Sequence, residues 1–259
     1  MTDSNAQQRT DNAAAERPVT RITAILNAHR EGLIAIPSIE SLRRNCELAL
    51  ASGYEIETIA VLDRADAQTA QVFGQFLEVF HHVLETDYGD LGEARNAAVQ
   101  IASGDLTAFL DADDLWCVDW LVRAADHANR HGLRSVLHPH YNMYFGQRYE
   151  IFVHPSPSDK GFTYMALAFQ NLWTALSVGP TALFMAIPYR PADWKHGFGY
   201  EDWTWNCEIL ERGFAHERVE NTVHFIRVKR SGSLMSRLES ARACRVPVDT
   251  FRKLLRTQL

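Results

Sequence analysis

With 259 residues, 46% of them hydrophobic, the chain can bury one substantial core. Its formal charge of −6 is unevenly spread: from Arg227 onward nine Lys/Arg stand against two acids, which leaves about −13 for everything before. An acidic body excludes nucleic acid as the expected partner, four scattered cysteines without a CxxC pair exclude a disulfide framework or zinc site, and no apolar stretch approaches the ~20 residues that span a bilayer. The polar N-terminus lacks a signal-peptide pattern, so the expected location is the cytoplasm.

Residues 1–20 are rich in Ser, Asn, Gln, Thr and Ala, bury too little apolar surface to offset their ordering entropy, and are expected as a disordered tail. Residues 21–27 (RITAILN) then read as a buried strand, followed by a polar turn over 28–32. Leu42, Cys46 and Leu50 repeat at helical spacing across 39–52, and Gly53 is a natural stop. A second strand over 56–62 ends in Asp63-Arg64-Ala65-Asp66, a helix covers 68–76, and a third strand lies near 80–84. Strands alternating with helices at this spacing build a parallel sheet whose ligands bind beyond the carboxyl ends of the strands.

In residues 87–98 (DYGDLGEARNAA), Leu91, Ala94, Ala98 and Ile101 form a helical repeat. Gly89 and Gly92 let backbone come close to a ligand at the helix start, where Arg95 is placed to meet a phosphate. The plain alternative is an exposed arginine on a surface helix.

The stretch DLTAFLDADDLW (105–116) is a short buried strand ending in Asp111-Ala112-Asp113-Asp114. Three carboxylates in four residues repel one another, and burial raises that cost, so a positive group is expected beside them. Carboxylate oxygens without a nearby His suit a hard cation, Mg²⁺ or Mn²⁺, that keeps positions open for phosphate oxygens. Capping of a helix over 115–122 is the alternative, but a cap needs one acid.

Farther along, a helix to about residue 131 precedes apolar segments at 135–138, 144–145 and 149–153 and an aromatic region with Phe162, Tyr164, Phe169 and Trp173. Tyr164 and Trp173 are candidates to stack on sugar, against the commoner fate of such rings as core. Residues 181–187 (TALFMAI) read as another buried strand. In 197–205 (GFGYEDWTW), Glu201 and Asp202 open a helix that stops at Gly213, an arrangement the helix dipole alone would favour. The segment 224–233 (HFIRVKRSGS) closes the body, with His224 a metal ligand or a buried strand histidine and Lys229 and Arg230 candidates to meet a diphosphate. Residues 234–259 mix apolar and basic side chains as an amphipathic helix would, suited to an anionic membrane surface, to the body, or to a second subunit.

Taken together, ITAILNAHREG (22–32), ETIAVLDRADAQT (57–69) and, above all, GDLGEARNAAVQIASGDLTAFLDADD (89–114) resemble the family 2 glycosyltransferases. The last block is 26 residues long and keeps a 15-residue interval from Asn96 to Asp111, far more specific than a lone DxD triplet. Two departures stand out: Asn27 where proline is common, and Arg64-Ala65-Asp66 in place of a glycine-serine turn.

The resemblance implies an α/β chain of GT-A type, a Rossmann-like mixed sheet flanked by helices. It divides the chain into a tail (1–20), one catalytic domain (21–233) and a basic tail (234–259), the domain having a nucleotide-sugar-binding half (21–115) and an acceptor half (116–233). It implies donor contacts at Ala28, Glu31, Asp63, Arg95, Asp111 and Ala112, with Asp63 at the base, and Mn²⁺ or Mg²⁺ at Asp111 and Asp113; many relatives carry a histidine where Lys229 falls, and His224 stays open between a further metal ligand and a buried strand histidine. Asp202 falls where the family carries its catalytic base, supported by Glu201, and Tyr164, Trp173 and Trp203 would line the acceptor side. The expected reaction is inverting transfer from a nucleotide-diphosphate sugar to a carbohydrate or lipid-linked acceptor, as in surface polysaccharide or glycolipid synthesis. Two rivals are a haloacid-dehalogenase-type phosphatase with Asp111 as nucleophile, and a non-catalytic nucleotide-sugar-binding protein.

Overall fold

A computed structural model describes residues 18–193, 195–229 and 243–246. In chain order the elements are β1 (Arg21–Ala28), α1 (Ala35–Ala51), β2 (Glu55–Asp63), α2 (Ala67–Gly74), β3 (His82–Thr86), α3 (Leu91–Ile101), β4 (Leu106–Asp111), β5 (Leu115–Trp116), α4 (Trp120–His131), β6 (Ser135–Gly146) and β7 (Glu150–Val153). They continue with β8 (Val178–Pro180), α5 (Thr181–Ala186), β9 (Phe198–Gly199), α6 (Glu201–Glu211), β10 (Ala215–Val228) and β11 (Cys244–Arg245). Nine strands make one mixed sheet in the order β3-β2-β1-β4-β8-β6-β10-β5, with β7 paired to β6, while β9 and β11 form a small sheet of their own.

Strands β3, β2, β1 and β4 run parallel, and their register aligns Asn27 with Asp111 and Asp63 with Thr86. Asp63 and Asp111 therefore end the two strands that flank β1, at one carboxyl edge. Both faces of this half are covered, which is why β1, β2 and β4 read as nearly unbroken apolar runs. Strand alternation splits the core: Leu26 and Ala60 pack with Ile39, Leu42 and Trp120 on one face, whereas Ile25, Ile59 and Phe109 pack with Ala94, Ala98, Phe184 and Trp205 on the other. Local chemistry sets the helix starts nearest the site. Asp66 accepts from the Thr69 amide at 2.8 Å to cap α2, and Asp90 from the Glu93 amide at 3.0 Å to cap α3.

Several expectations are corrected. Residues 181–187 are not a strand: the strand is Val178–Pro180, paired antiparallel to β4, and Thr181–Ala186 is helical. Pro180 supplies no amide to a ladder and has the φ of −57° suited to a helix start, and a short apolar run carries no period of its own. Leu115 and Trp116 are not helical but pair with β10, so the helix begins at Trp120 and neither Asp113 nor Asp114 caps it. Helix α1 starts at Ala35, following a 3-10 turn over Gly32–Ile34. Helix α3 turns Gly92, Ala94, Arg95, Ala98 and Val99 inward, while Ile101 is exposed. Val19 is buried and donates to Asn129 Oδ1 at 2.7 Å, so order begins before residue 21. Residues 1–17, Arg230, Gly232, Ser233 and most of the basic tail lie outside the described residues; within that tail, Cys244 and Arg245 are a strand on β9. Among the described residues no helix is long and apolar enough to cross a membrane.

Candidate active site

Most of the residues expected to meet a donor lie where β1, β2 and β4 end. Asp63 is 7% exposed, and its carboxylate is committed to the protein: Oδ1 accepts from Thr86 Oγ1 at 3.0 Å and the Tyr88 amide at 2.8 Å, and Oδ2 from the Gly89 amide at 2.8 Å. It ties the end of β2 to the loop that leads into α3. Arg64 takes a φ of +51°, where a glycine would be unstrained, and its Nε meets Asp87 at 2.6 Å. Gly89, at φ +63°, passes so close to Arg64 that a Cβ would stand 2.0 Å from Nη1. Ala28 and Ala112 are buried, and the Ala112 amide is bonded to Asn27 O at 2.8 Å. Glu31 accepts from the His29 amide at 2.6 Å and from Lys229 Nζ at 3.3 Å.

At the end of β4 the acids meet three cations from two distant segments, α3 and the end of β10. The Asp111 side chain is 25% exposed and lies 3.2 Å from Arg95 Nη2; Asp113 Oδ2 accepts from Arg227 Nη2 at 3.0 Å and from Lys229 Nζ at 3.1 Å. Asp114 Oδ1 accepts the Arg227 amide at 2.7 Å. The positive charge the sequence demands is thus supplied in part by the protein's own side chains. Burial still dominates: it raises the Asp113 pKa against the pull of Lys229, and raises that of Asp114 well above the usual carboxylate range, with Asp113 adding repulsion.

Arg95 does not behave as either sequence reading expects. Its side chain is 2% exposed, with the guanidinium over the rings of Phe109 (5.8 Å) and Tyr189 (5.7 Å), so it is neither a surface arginine nor a group open to a phosphate. It bridges Asp111 and, at 3.6 Å, Glu201. Gly92 serves that bridge rather than a ligand: a Cβ there would lie 3.1–3.2 Å from Tyr189 Cβ, Asp90 Oδ1 and Glu201 Cγ. A side chain at Gly92 would crowd the approach of α3 to the start of α6.

The acid pair opens α6 directly after Tyr200, which is held at φ +57°. Left-handed backbone at a non-glycine residue is strain of the kind that clusters at functional sites. Glu201 is 7% exposed, and burial, with repulsion from Asp202 opposed by Arg95, lifts its pKa to about 7. Asp202 is half-buried; burial raises its pKa, while Arg95 and hydrogen bonds from the Trp203 amide (2.7 Å) and Asn171 Nδ2 (2.9 Å) favour its charged form.

The aromatic candidates divide. Trp173 is 1% exposed and stacks on His216 with centroids 3.9 Å apart, so it is core and offers no face to a sugar. Trp203, half-buried beside Asp202, donates Nε1–H to Leu167 O at 3.0 Å and has the Arg245 guanidinium 5.5 Å from its ring. Tyr164 is half-buried edge-to-face against Phe162. His224 is fully buried, 4.7 Å from the Trp120 ring and near Trp116, and burial drives its pKa well below the usual value; it sits in the aromatic core, not among the carboxylates. Residues the sequence did not single out are Asn171, Tyr189 and, as a partner of Asp113, Arg227; an isolated Asn or Tyr in an irregular segment carries no spacing signal.

The family model for glycosyl transferase family 2 matches residues 23–187. No curated protein matches the chain. Among solved structures, S. aureus TarS is 17% identical over 81% of this chain and 37% of that one, with a TM-score of 0.62. A TarS 1–349 structure in complex with UDP-GlcNAc is 19% identical over 84% of this chain and 61% of that one, with a TM-score of 0.61. The mannosyltransferase PcManGT from Pyrobaculum calidifontis, in complex with GDP-Man and Mn²⁺, is 15% identical over 94% of this chain and 70% of that one, with a TM-score of 0.60. The chain thus spans between about a third and two thirds of the length of the TarS chains it resembles, and at these identities the likeness establishes the GT-A fold. Because the family model covers more than half of the sequence, including Asp63, Arg95 and Asp111 to Asp114, the chain belongs to glycosyl transferase family 2.

Proposed function

We propose that this protein is an inverting glycosyltransferase that moves a sugar from a nucleotide-diphosphate donor to an acceptor hydroxyl, with Asp202 as the base. The observation that carries the proposal is the Arg95 bridge, which ties the DxD carboxylate Asp111 to the first turn of α6 and so brings a donor edge and an acid pair into one site. Within that pair Glu201 is buried and salt-bridged, whereas Asp202 is the more exposed, so Asp202 is the acid better placed for an acceptor. A single base on the acceptor side supports one displacement with inversion at the anomeric carbon.

Among the described residues no cluster of three or more His, Cys, Asp or Glu side chains forms a metal cage. Two neighbouring carboxylates nevertheless fit a hard divalent cation: Asp111 is a quarter exposed and, among the described residues, the hydrogen bonds to the Asp113 carboxylate fall on Oδ2, so Asp111 and Asp113 would hold Mn²⁺ or Mg²⁺. Bound there, the ion would neutralise charge on the departing diphosphate. Lys229, 27% exposed at the same edge, is placed to add a positive charge to that phosphate, and Asp202 takes the acceptor proton, a role worth about 10²–10⁴-fold in rate. Surface polysaccharide or glycolipid is the proposed product.

The test is incubation with UDP- and GDP-linked sugars, with and without Mn²⁺, scoring hydrolysis or transfer. Wild type should turn over at least one donor, and Asp202→Asn, nearly isosteric, should bind it normally while turnover falls about 10²-fold or more. Binding without turnover in wild type would return the non-catalytic reading; normal turnover by Asp202→Asn would place the base elsewhere.

A further inference from the structure

Behind Asp202, Asn206 of α6 is anchored twice, through its backbone carbonyl by a buried histidine pair and through its side-chain amide. The Asn206 carbonyl only accepts, so the His216 Nε2 that meets it at 3.2 Å carries the proton. His216 Nδ1 is then an acceptor, and His138 Nε2, 2.8 Å away, donates to it. Both rings are fully buried and held neutral by that burial, with the His216 pKa lowered to about 3, and His216 is clamped by its stack on Trp173. The histidine pair therefore stays uncharged near neutral pH.

Asn206, 2% exposed, donates Nδ2–H both to Trp173 O at 2.8 Å and to Asn171 Oδ1 at 2.9 Å. With its oxygen claimed by Asn206, Asn171 has one way to face the acid pair: Nδ2–H donates to Asp202 Oδ2 at 2.9 Å. The Trp203 amide holds Oδ1 at 2.7 Å. A carboxylate oxygen accepts more than one hydrogen bond, so a lone pair remains for an incoming hydroxyl while the plane of the group is fixed.

We infer that Asn171 is a positioning residue for Asp202: locked by Asn206, it can only donate, and so holds the carboxylate ionised and aimed for proton abstraction. This rests on the reading of Asp202 as the base. Among the described residues, the other charged or titratable groups that bear on Asp202 include Arg95 from α3, Glu201 on its own helix and Tyr189 ahead of β9. Arg95 favours the anion and Glu201 opposes it. Asn171 is the neutral donor whose removal changes the balance without breaking the Arg95 bridge.

The test is ¹³C NMR of the full chain labelled at the aspartate carboxyls, with Asp202→Asn identifying the Asp202 resonance. Asn171→Ala should raise its titration midpoint by about one to two pH units, the worth of one hydrogen bond to a charged group. Asn171→Asp, nearly isosteric and able to keep the Asn206 contact, should raise it at least as far by setting a second acid against Asp202, and it decides the matter if Asn171→Ala does not fold. An unchanged midpoint in the folded variants overturns this inference alone. Wild-type hydrolysis of UDP-GlcNAc or GDP-mannose by Asp202→Asn overturns the assignment of the base instead, whatever the Asn171 variants do.

Discussion

Replacing Arg95 with alanine would leave Asp111 and Glu201 facing each other across a cavity. Removing one side of a buried ion pair costs about 3–5 kcal/mol. The lower end is expected here, because Asp111 is partly solvated and Glu201 can take up a proton. Urea denaturation at pH 7 measures that loss, and a variant as stable as wild type would show that the bridge is not a stabilising contact. Glu201 makes a second residue-scale prediction. Its folded pKa of about 7 lies above the ordinary 4.5, so the folded state binds the proton more tightly. The associated stability is fully present below about pH 4.5 and is lost as pH rises through about 7, by up to about 3 kcal/mol at ~1.4 kcal/mol per pH unit. Glu201→Gln should flatten that part of the stability–pH curve; parallel curves for the two proteins would show that Glu201 titrates normally.

At the scale of elements, the loop from β3 to α3 is held by Asp63 from below and Arg64 from the side. Gly89 is the point where these two meet. A side chain there would need a left-handed backbone that costs about 1–2 kcal/mol and would push the Arg64 guanidinium off its site. Gly89→Ala should therefore lower stability by about 1–2 kcal/mol and weaken UDP binding in calorimetry, because the turn that shapes the nucleotide edge shifts. Unchanged UDP affinity would detach this loop from the proposed donor site. The same logic bears on α6: Glu201, in its first turn, lies both beside Gly92 and 3.6 Å from Arg95, so a side chain at Gly92 would crowd the acid pair.

For the whole molecule, binding of the donor product and a cation should appear as added stability. At a hundred times its dissociation constant a ligand contributes about 2.7 kcal/mol, which for a chain of this size raises the melting temperature by roughly 5–10 °C. UDP or GDP with Mn²⁺ should produce such a shift in a thermal melt, EDTA should reverse the metal-dependent part, and Asp113→Asn should abolish it. A shift that is full size in EDTA would mean that Arg227 and Lys229, which already cover Asp113, supply the positive charge without a metal.

Strand and helix order in the first half, the carboxyl edge bearing Asp63 and Asp111, and the acid pair at a helix start were legible in the sequence, because they are local. A buried parallel strand shows as an apolar run, a helix shows as a 3.6-residue period, and the 26-residue block from Gly89 to Asp114 joins the two at fixed spacing. What lay across from each side chain was not legible. Arg95 looked like a phosphate ligand until packing set Glu201 and Asp111 on either side of it, and Trp173 looked like a sugar platform until His216 stacked on it. The run 181–187 has the same apolar content as a strand, and only Pro180 and its neighbours made it a helix. Arg227 and Lys229 reach Asp113 from more than a hundred residues away in sequence. Such pairings are decided by long-range packing and by the need of buried charges for partners, and no local period encodes either.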